Sequence, residues 1–173
     1  MKERLSAKFS LTLLILAGIV WLGGINIRAL IGDALVHTGT VEFLPNLEPH
    51  AERQIYSLLA VTSIVVNLSY CIVFLSAIFY LRTTRLKLKE HGWLMMCAIL
   101  FFLFSPAEFY MMTLDWNFIQ AELFSSTDIS QLRELFIKRI AALRGVPVIA
   151  TLTYYTIVIL AIWRPLRKSL LEL

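Results

Sequence analysis

Glu108 is the residue best placed to do chemistry in this chain. It lies in Leu100 to Met112, LFFLFSPAEFYMM, an apolar run of the kind that crosses a membrane. An unpaired charge at membrane depth costs at least ~2.5 kcal/mol, so such residues pair with one another or mark a ligand or ion pathway. Pro106 stands two residues before it. Proline has no N–H and its ring displaces the carbonyl four residues back, here that of Phe102, so Pro106 marks an expected kink whose freed carbonyl needs a polar neighbour. Ser105 is the nearest in sequence.

Three more polar residues interrupt apolar stretches: Arg28, Asn67 and Thr151. Counting up from the basic edge of each stretch at ~1.5 Å per residue puts Glu108 and Asn67 roughly 22 Å up, Thr151 roughly 18 Å and Arg28 roughly 30 Å. Helix side chains lean toward the N-terminus, and the long arginine stem reaches several ångströms further, which brings Arg28 down toward Glu108. The expectation is a buried polar layer of Arg28, Asn67, Glu108 and Thr151 with an Arg28–Glu108 ion pair. Such a layer serves either as glue, at ~0.6 kcal/mol per interhelical hydrogen bond, or as a site.

The elements that hold these residues follow from composition. Of 173 residues, 58% are hydrophobic and 16% charged, well below the charged quarter of a typical soluble domain. Windows of about 19 residues pick out four spans, about 9–30, 56–81, 93–112 and 146–163. The fold class expected is an all-α integral membrane protein, a four-transmembrane-helix bundle forming a single domain over 1–173. The first span resembles a signal sequence in its flanking Lys2, Arg4 and Lys8, but its apolar run is longer than such a core and no small-residue cleavage site follows, so it reads as a retained helix. Cys71 and Cys97 fall at different depths and read as free thiols.

Ten of the sixteen Lys and Arg, but three of the twelve acids, fall at the termini and in the Arg82 to His91 loop. By the positive-inside rule both termini are cytoplasmic, with outer segments at about 31–55 and 113–145. The basic inner loop would meet anionic lipid headgroups. In the first outer segment, turn formers around Val41 to Leu44 suggest an ordered hook, and Pro49 suits the first turn of a helix running to Leu81, about 50 Å long. Gly23-Gly24 offers a close helix contact. In the second, Asp128 with Gln131 reads as a cap opening an amphipathic helix. Its apolar face is Leu132, Leu135, Phe136, Ile140 and Leu143, with a Glu134–Lys138 pair on the other side. That helix could lie in the headgroups, cover the bundle mouth or make a subunit contact.

Catalytic and cofactor signals are weak. The three histidines lie outside the expected spans, and no phosphate loop, nucleophile elbow or HExxH zinc motif occurs. No metal, cofactor or nucleic-acid partner is expected. The leading expectation is a non-enzymatic plasma-membrane protein, in a bacterial inner membrane, acting through assembly as a homo-oligomer or as a small subunit of a larger membrane complex. One alternative is a subunit of an oligomeric channel or small transporter whose path is lined by the third and fourth spans. Another is a protein that binds a lipid or small amphiphile.

Overall fold

The computed structural model describes residues 4–36, 42–45, 47–125 and 127–165. Among them are five α-helices: α1 (Leu5–Asp33), α2 (Pro49–Thr83), α3 (Gly92–Ile119), α4 (Ile129–Ala141) and α5 (Val146–Trp163). All but α4 are long and apolar enough to cross a membrane. Their flanks expose a continuous supply of large apolar side chains, such as Ile19, Leu68, Leu103 and Leu152, as lipid-facing helices do.

The helices outrun the hydropathy windows. α3 passes Met112 by two turns and ends in a single π-turn, Gln120–Phe124, while α2 opens at Pro49 as its missing N–H allows. Much of what reads as loop from hydropathy is therefore helix, because helix propensity continues where apolarity stops. α3 also runs unbroken through Pro106. Ser105 does not reach the Phe102 carbonyl; its hydroxyl donates to Phe101 O at 3.0 Å instead, since χ1 of a helical serine turns it back one turn.

α1 packs along α2 and α3 along α5, in antiparallel fashion. Small residues let the first pair approach: a Cβ on Gly24 would stand 2.7 Å from Val66 Cγ2, whereas one on Gly23 would meet nothing within 4 Å. Only the second half of the Gly23-Gly24 contact is realised. The two pairs join through aromatics packed at a tilt at the bundle centre, with Trp21 4.6 Å from Tyr154 and 5.0 Å from Tyr70 between ring centroids. Asn26 of α1 also reaches the Tyr155 hydroxyl of α5. At one end Ala7, Tyr80, Trp93, Leu94 and Cys97 close the core near the described chain ends. Both cysteines are free thiols.

α4 caps the other end. Leu132 and Phe136 are fully or almost fully buried against Leu35, Tyr56, Leu59, Phe118 and Ile119, with Leu135 packed beside them. Ile140, in the last turn of α4, and Leu143 of the expected face are instead exposed; α4 ends at Ala141, and the chain turns through left-handed residues at Leu143 (φ 55°) and Arg144 (φ 48°) into Gly145 and α5. Asp128 occupies the N-cap position without a side-chain cap bond. Glu134 and Lys138 form no ion pair among the described residues; the flanking arginines Arg133 and Arg139 do the pairing instead. The hook survives in part: Val36 bridges Phe43, and Leu44 N–H donates to Leu35 O at 3.1 Å, while residues 37–41 and 46 lie outside the described residues.

Candidate functional site

A chamber of about 390 Å3 lies at the α4 end of the bundle. α1 contributes Arg28 from the face that carries Ile25, Gly32 and Asp33, consistent with a spacing of three and four along one helix side. α2 supplies Ser63, α3 supplies Glu108 and Asp115, α4 supplies Phe136 and Arg139, and α5 supplies Thr151. Three of the four sequence-predicted layer residues, Arg28, Glu108 and Thr151, thus meet at one place.

Their pairing differs from expectation. Arg28 Nη1 lies 2.6 Å from Asp115 Oδ2 and 3.3 Å from Ser63 Oγ, and Arg139 Nε lies 2.6 Å from Asp115 Oδ1. Asp115 is therefore held between two guanidiniums, with its side chain 4% exposed and those of Arg28 and Arg139 12% and 23%. Glu108 sits two turns below on the same face of α3 and accepts a hydrogen bond from the Tyr154 hydroxyl at 3.1 Å. The Arg28–Glu108 pair is replaced by Arg28–Asp115. The depth count itself carries the reason: Asp115 stands 22 residues above Trp93, roughly 33 Å, which matches the roughly 30 Å of Arg28 far better than Glu108 does. The available signal was the seven-residue spacing of Glu108 and Asp115, which puts both on one helix side.

Asn67 lies outside the chamber. It is half-buried one turn below Ser63 and makes no side-chain hydrogen bond among the described residues. Thr151 lines the chamber but bonds locally, its hydroxyl donating to Pro147 O at 2.9 Å. Sequence reasoning missed Asp115, Arg139, Arg144 and Tyr154, which complete the lining and floor.

Two further ion pairs fasten the cap around the chamber. Arg133 of α4 grips Glu52 of α2 with both prongs at 2.6 Å, and the Tyr56 hydroxyl donates to the same carboxylate at 2.9 Å. The bond to Glu52 pushes the Arg133 guanidinium above its ordinary value, so it stays charged at every physiological pH. Arg53 approaches the Glu122 carboxylate at 3.1 Å and donates from Nη1 to Thr127 O at 2.6 Å.

Burial shows where the chamber opens. Its α2 and α3 wall, including Leu59, Ser63, Met111 and Asp115, is buried, while Ala29 and Asp33 of α1 and Ile140, Arg144 and Val148 of the α4–α5 corner are exposed. The mouth therefore lies between the end of α1 and the α4–α5 corner, with charged Asp33 and Arg144 exposed beside it. Below the chamber, Tyr154, Trp21, Tyr70 and Phe101 close the bundle centre. No group of three or more His, Cys, Asp or Glu able to hold a metal occurs among the described residues. Comparison with family models, curated proteins and solved structures gives no match.

Proposed function

We propose that this is a non-enzymatic membrane protein that binds the polar end of a lipid or small amphiphile in the chamber at the α4 end while its chain stays in the bilayer. The observation that carries the reading is a chamber with polar groups inside, whose opening between the end of α1 and the α4–α5 corner is flanked by exposed apolar Ile140 and Val148. Ligand sites of this kind combine apolar walls with a few polar groups that fix orientation. The charge distribution supports cytoplasmic termini and an outer-side α4 in a plasma membrane, a bacterial inner membrane in this reading, with the Arg82 to His91 loop against anionic headgroups. A ligand would then enter from the outer leaflet.

The test is photo-crosslinking of the full-length protein in nanodiscs with a diazirine-tagged monoacylglycerol. Val148 and Leu152 are equally exposed on α5, one at the mouth and one below it. Val148→Trp should block labelling of the chamber and Leu152→Trp should not. Equal labelling of the wild type and both variants would remove the reading.

Assembly, as a homo-oligomer or as a subunit of a larger complex, is the second reading, and Gly23 favours it. That glycine is exposed on α1 with open space over its Cα, where another helix could approach. The channel alternative, a subunit of an oligomer whose path is lined by the third and fourth spans, is not favoured by a specific feature; the aromatic cluster of Trp21, Tyr70 and Tyr154 closes the centre of a single bundle.

A further inference from the structure

At the end of the bundle opposite α4, α1 and α2 leave a groove of about 430 Å3 along their seam, within the ~300–1,000 Å3 of ligand sites. Phe9 and Leu13 of α1 and Leu75 and Phe79 of α2 form its walls, all of them exposed. These side chains are bulky, whereas helices that approach closely in a bilayer meet through small residues. Three groups in the groove are polar. Ser10 donates to Ala7 O at 3.1 Å. Ser76 is 5% exposed yet makes no hydrogen bond among the described residues, while Thr83 of the same helix bonds Phe79 O at 2.8 Å. Arg82, exposed at the end of the groove, makes no hydrogen bond or ion pair among the described residues. No carboxylate lines the groove, and Glu90, the acid of the neighbouring loop, is bonded to Lys87 at 3.1 Å.

We propose that this groove holds an acidic phospholipid, with the lipid phosphate on Arg82 and one acyl chain along the apolar walls. Basic pockets between membrane helices bind phospholipid headgroups in this way. Arginine suits the role, because its fork matches phosphate oxygens and its apolar stem lies along hydrocarbon. Helical side chains lean toward the N-terminus, so Arg82 leans along the groove toward Ser76, six residues or ~9 Å further in. The two unpartnered donors thus follow the order of acceptors in a phospholipid, phosphate first and acyl ester next. The single positive charge, with no carboxylate to offset it, favours an anionic lipid over a zwitterionic one whose own cation offsets its phosphate. The site is independent of the chamber, and the reading of cytoplasmic termini decides only which leaflet supplies the lipid.

The test is photolabelling of the full-length protein in phosphatidylcholine nanodiscs, which present both leaflets. Trace diazirine-tagged phosphatidylglycerol or phosphatidylcholine of the same acyl chain is added, and labelled residues are mapped by peptide mass spectrometry. Label on segments 9–13 and 75–79 should be about fivefold higher with phosphatidylglycerol, the equivalent of ~1 kcal/mol for one cation at an anionic headgroup. Arg82→Gln should remove this preference, and Lys89→Gln, which removes an exposed charge from the adjoining loop, should keep it. Leu75→Trp should fill the groove and lower the label from both lipids, whereas Leu68→Trp, similarly exposed on α2 but outside the groove, should not. Equal labelling by the two lipids would overturn the acidic-lipid site, and a preference that survives Arg82→Gln or is lost equally in Lys89→Gln would overturn the role of Arg82. A groove left unlabelled by either lipid would overturn the site altogether; a spontaneous disulfide dimer of Leu75→Cys would then assign it to a second copy of the chain.

Discussion

Asp115, not Glu108, should be the carboxylate on which the stability of the α4 end depends. Its two oxygens sit 2.6 Å from Arg28 and Arg139, and all three side chains are at most about a quarter exposed. Removing one partner of a buried pair costs ~3–5 kcal/mol because it strands the other charge. Asp115→Asn strands two guanidiniums, but Arg139 retains 23% exposure and can turn to solvent, so the low end, ~3 kcal/mol, is expected. Glu108→Gln keeps an oxygen that accepts from Tyr154 and should cost ~1 kcal/mol or less. Reversible unfolding in mixed micelles of rising dodecyl sulfate fraction, followed by circular dichroism, measures both. In a double-mutant cycle Arg28→Gln with Asp115→Asn should be coupled by ~2 kcal/mol, while Arg28→Gln with Glu108→Gln should add within ~0.5 kcal/mol. Stronger coupling of Arg28 to Glu108 than to Asp115 would refute the pairing.

Three other outcomes follow from packing and topology. Gly24→Ala should cost ~1–3 kcal/mol in the same unfolding assay, since its Cβ meets Val66 at 2.7 Å, while Gly23→Ala should be neutral; equal effects would mean that α1 and α2 do not pack this closely. Leu132→Ala should cost ~2–5 kcal/mol and raise hydrogen exchange throughout α4, whereas Ile140→Ser should change stability by ~0.5 kcal/mol at most; the reverse order would put α4 the other way round on the bundle. Single cysteines at Lys87 and Ser125, both exposed, should react with an impermeant maleimide from opposite sides of the membrane, and same-side labelling would contradict a four-span topology.

The spans were legible in the sequence because hydropathy and helical period are local properties, summed along the chain without reference to partners. So were the start of α2 at Pro49 and the buried ridge of α4 at Leu132 and Phe136, each fixed by residue type and spacing. Gly145 and Pro147 mark a bend into the last span, but the end of α4 at Ala141 was not legible, since Leu143 and Arg144 take left-handed geometry that their residue types disfavour. Chain counting along each helix put Glu108 and Thr151 within about a turn of one another and Arg28 higher, and all three line the chamber. Counting along an axis says nothing of rotation about it, so Asn67, at the depth of Glu108, stays outside. The depth count favours Asp115 as the partner of Arg28, but the second guanidinium on Asp115, that of Arg139, comes from α4 folding back on the bundle. That contact joins residues 24 apart in one direction and 87 in the other, and only the packed bundle brings the three charges together.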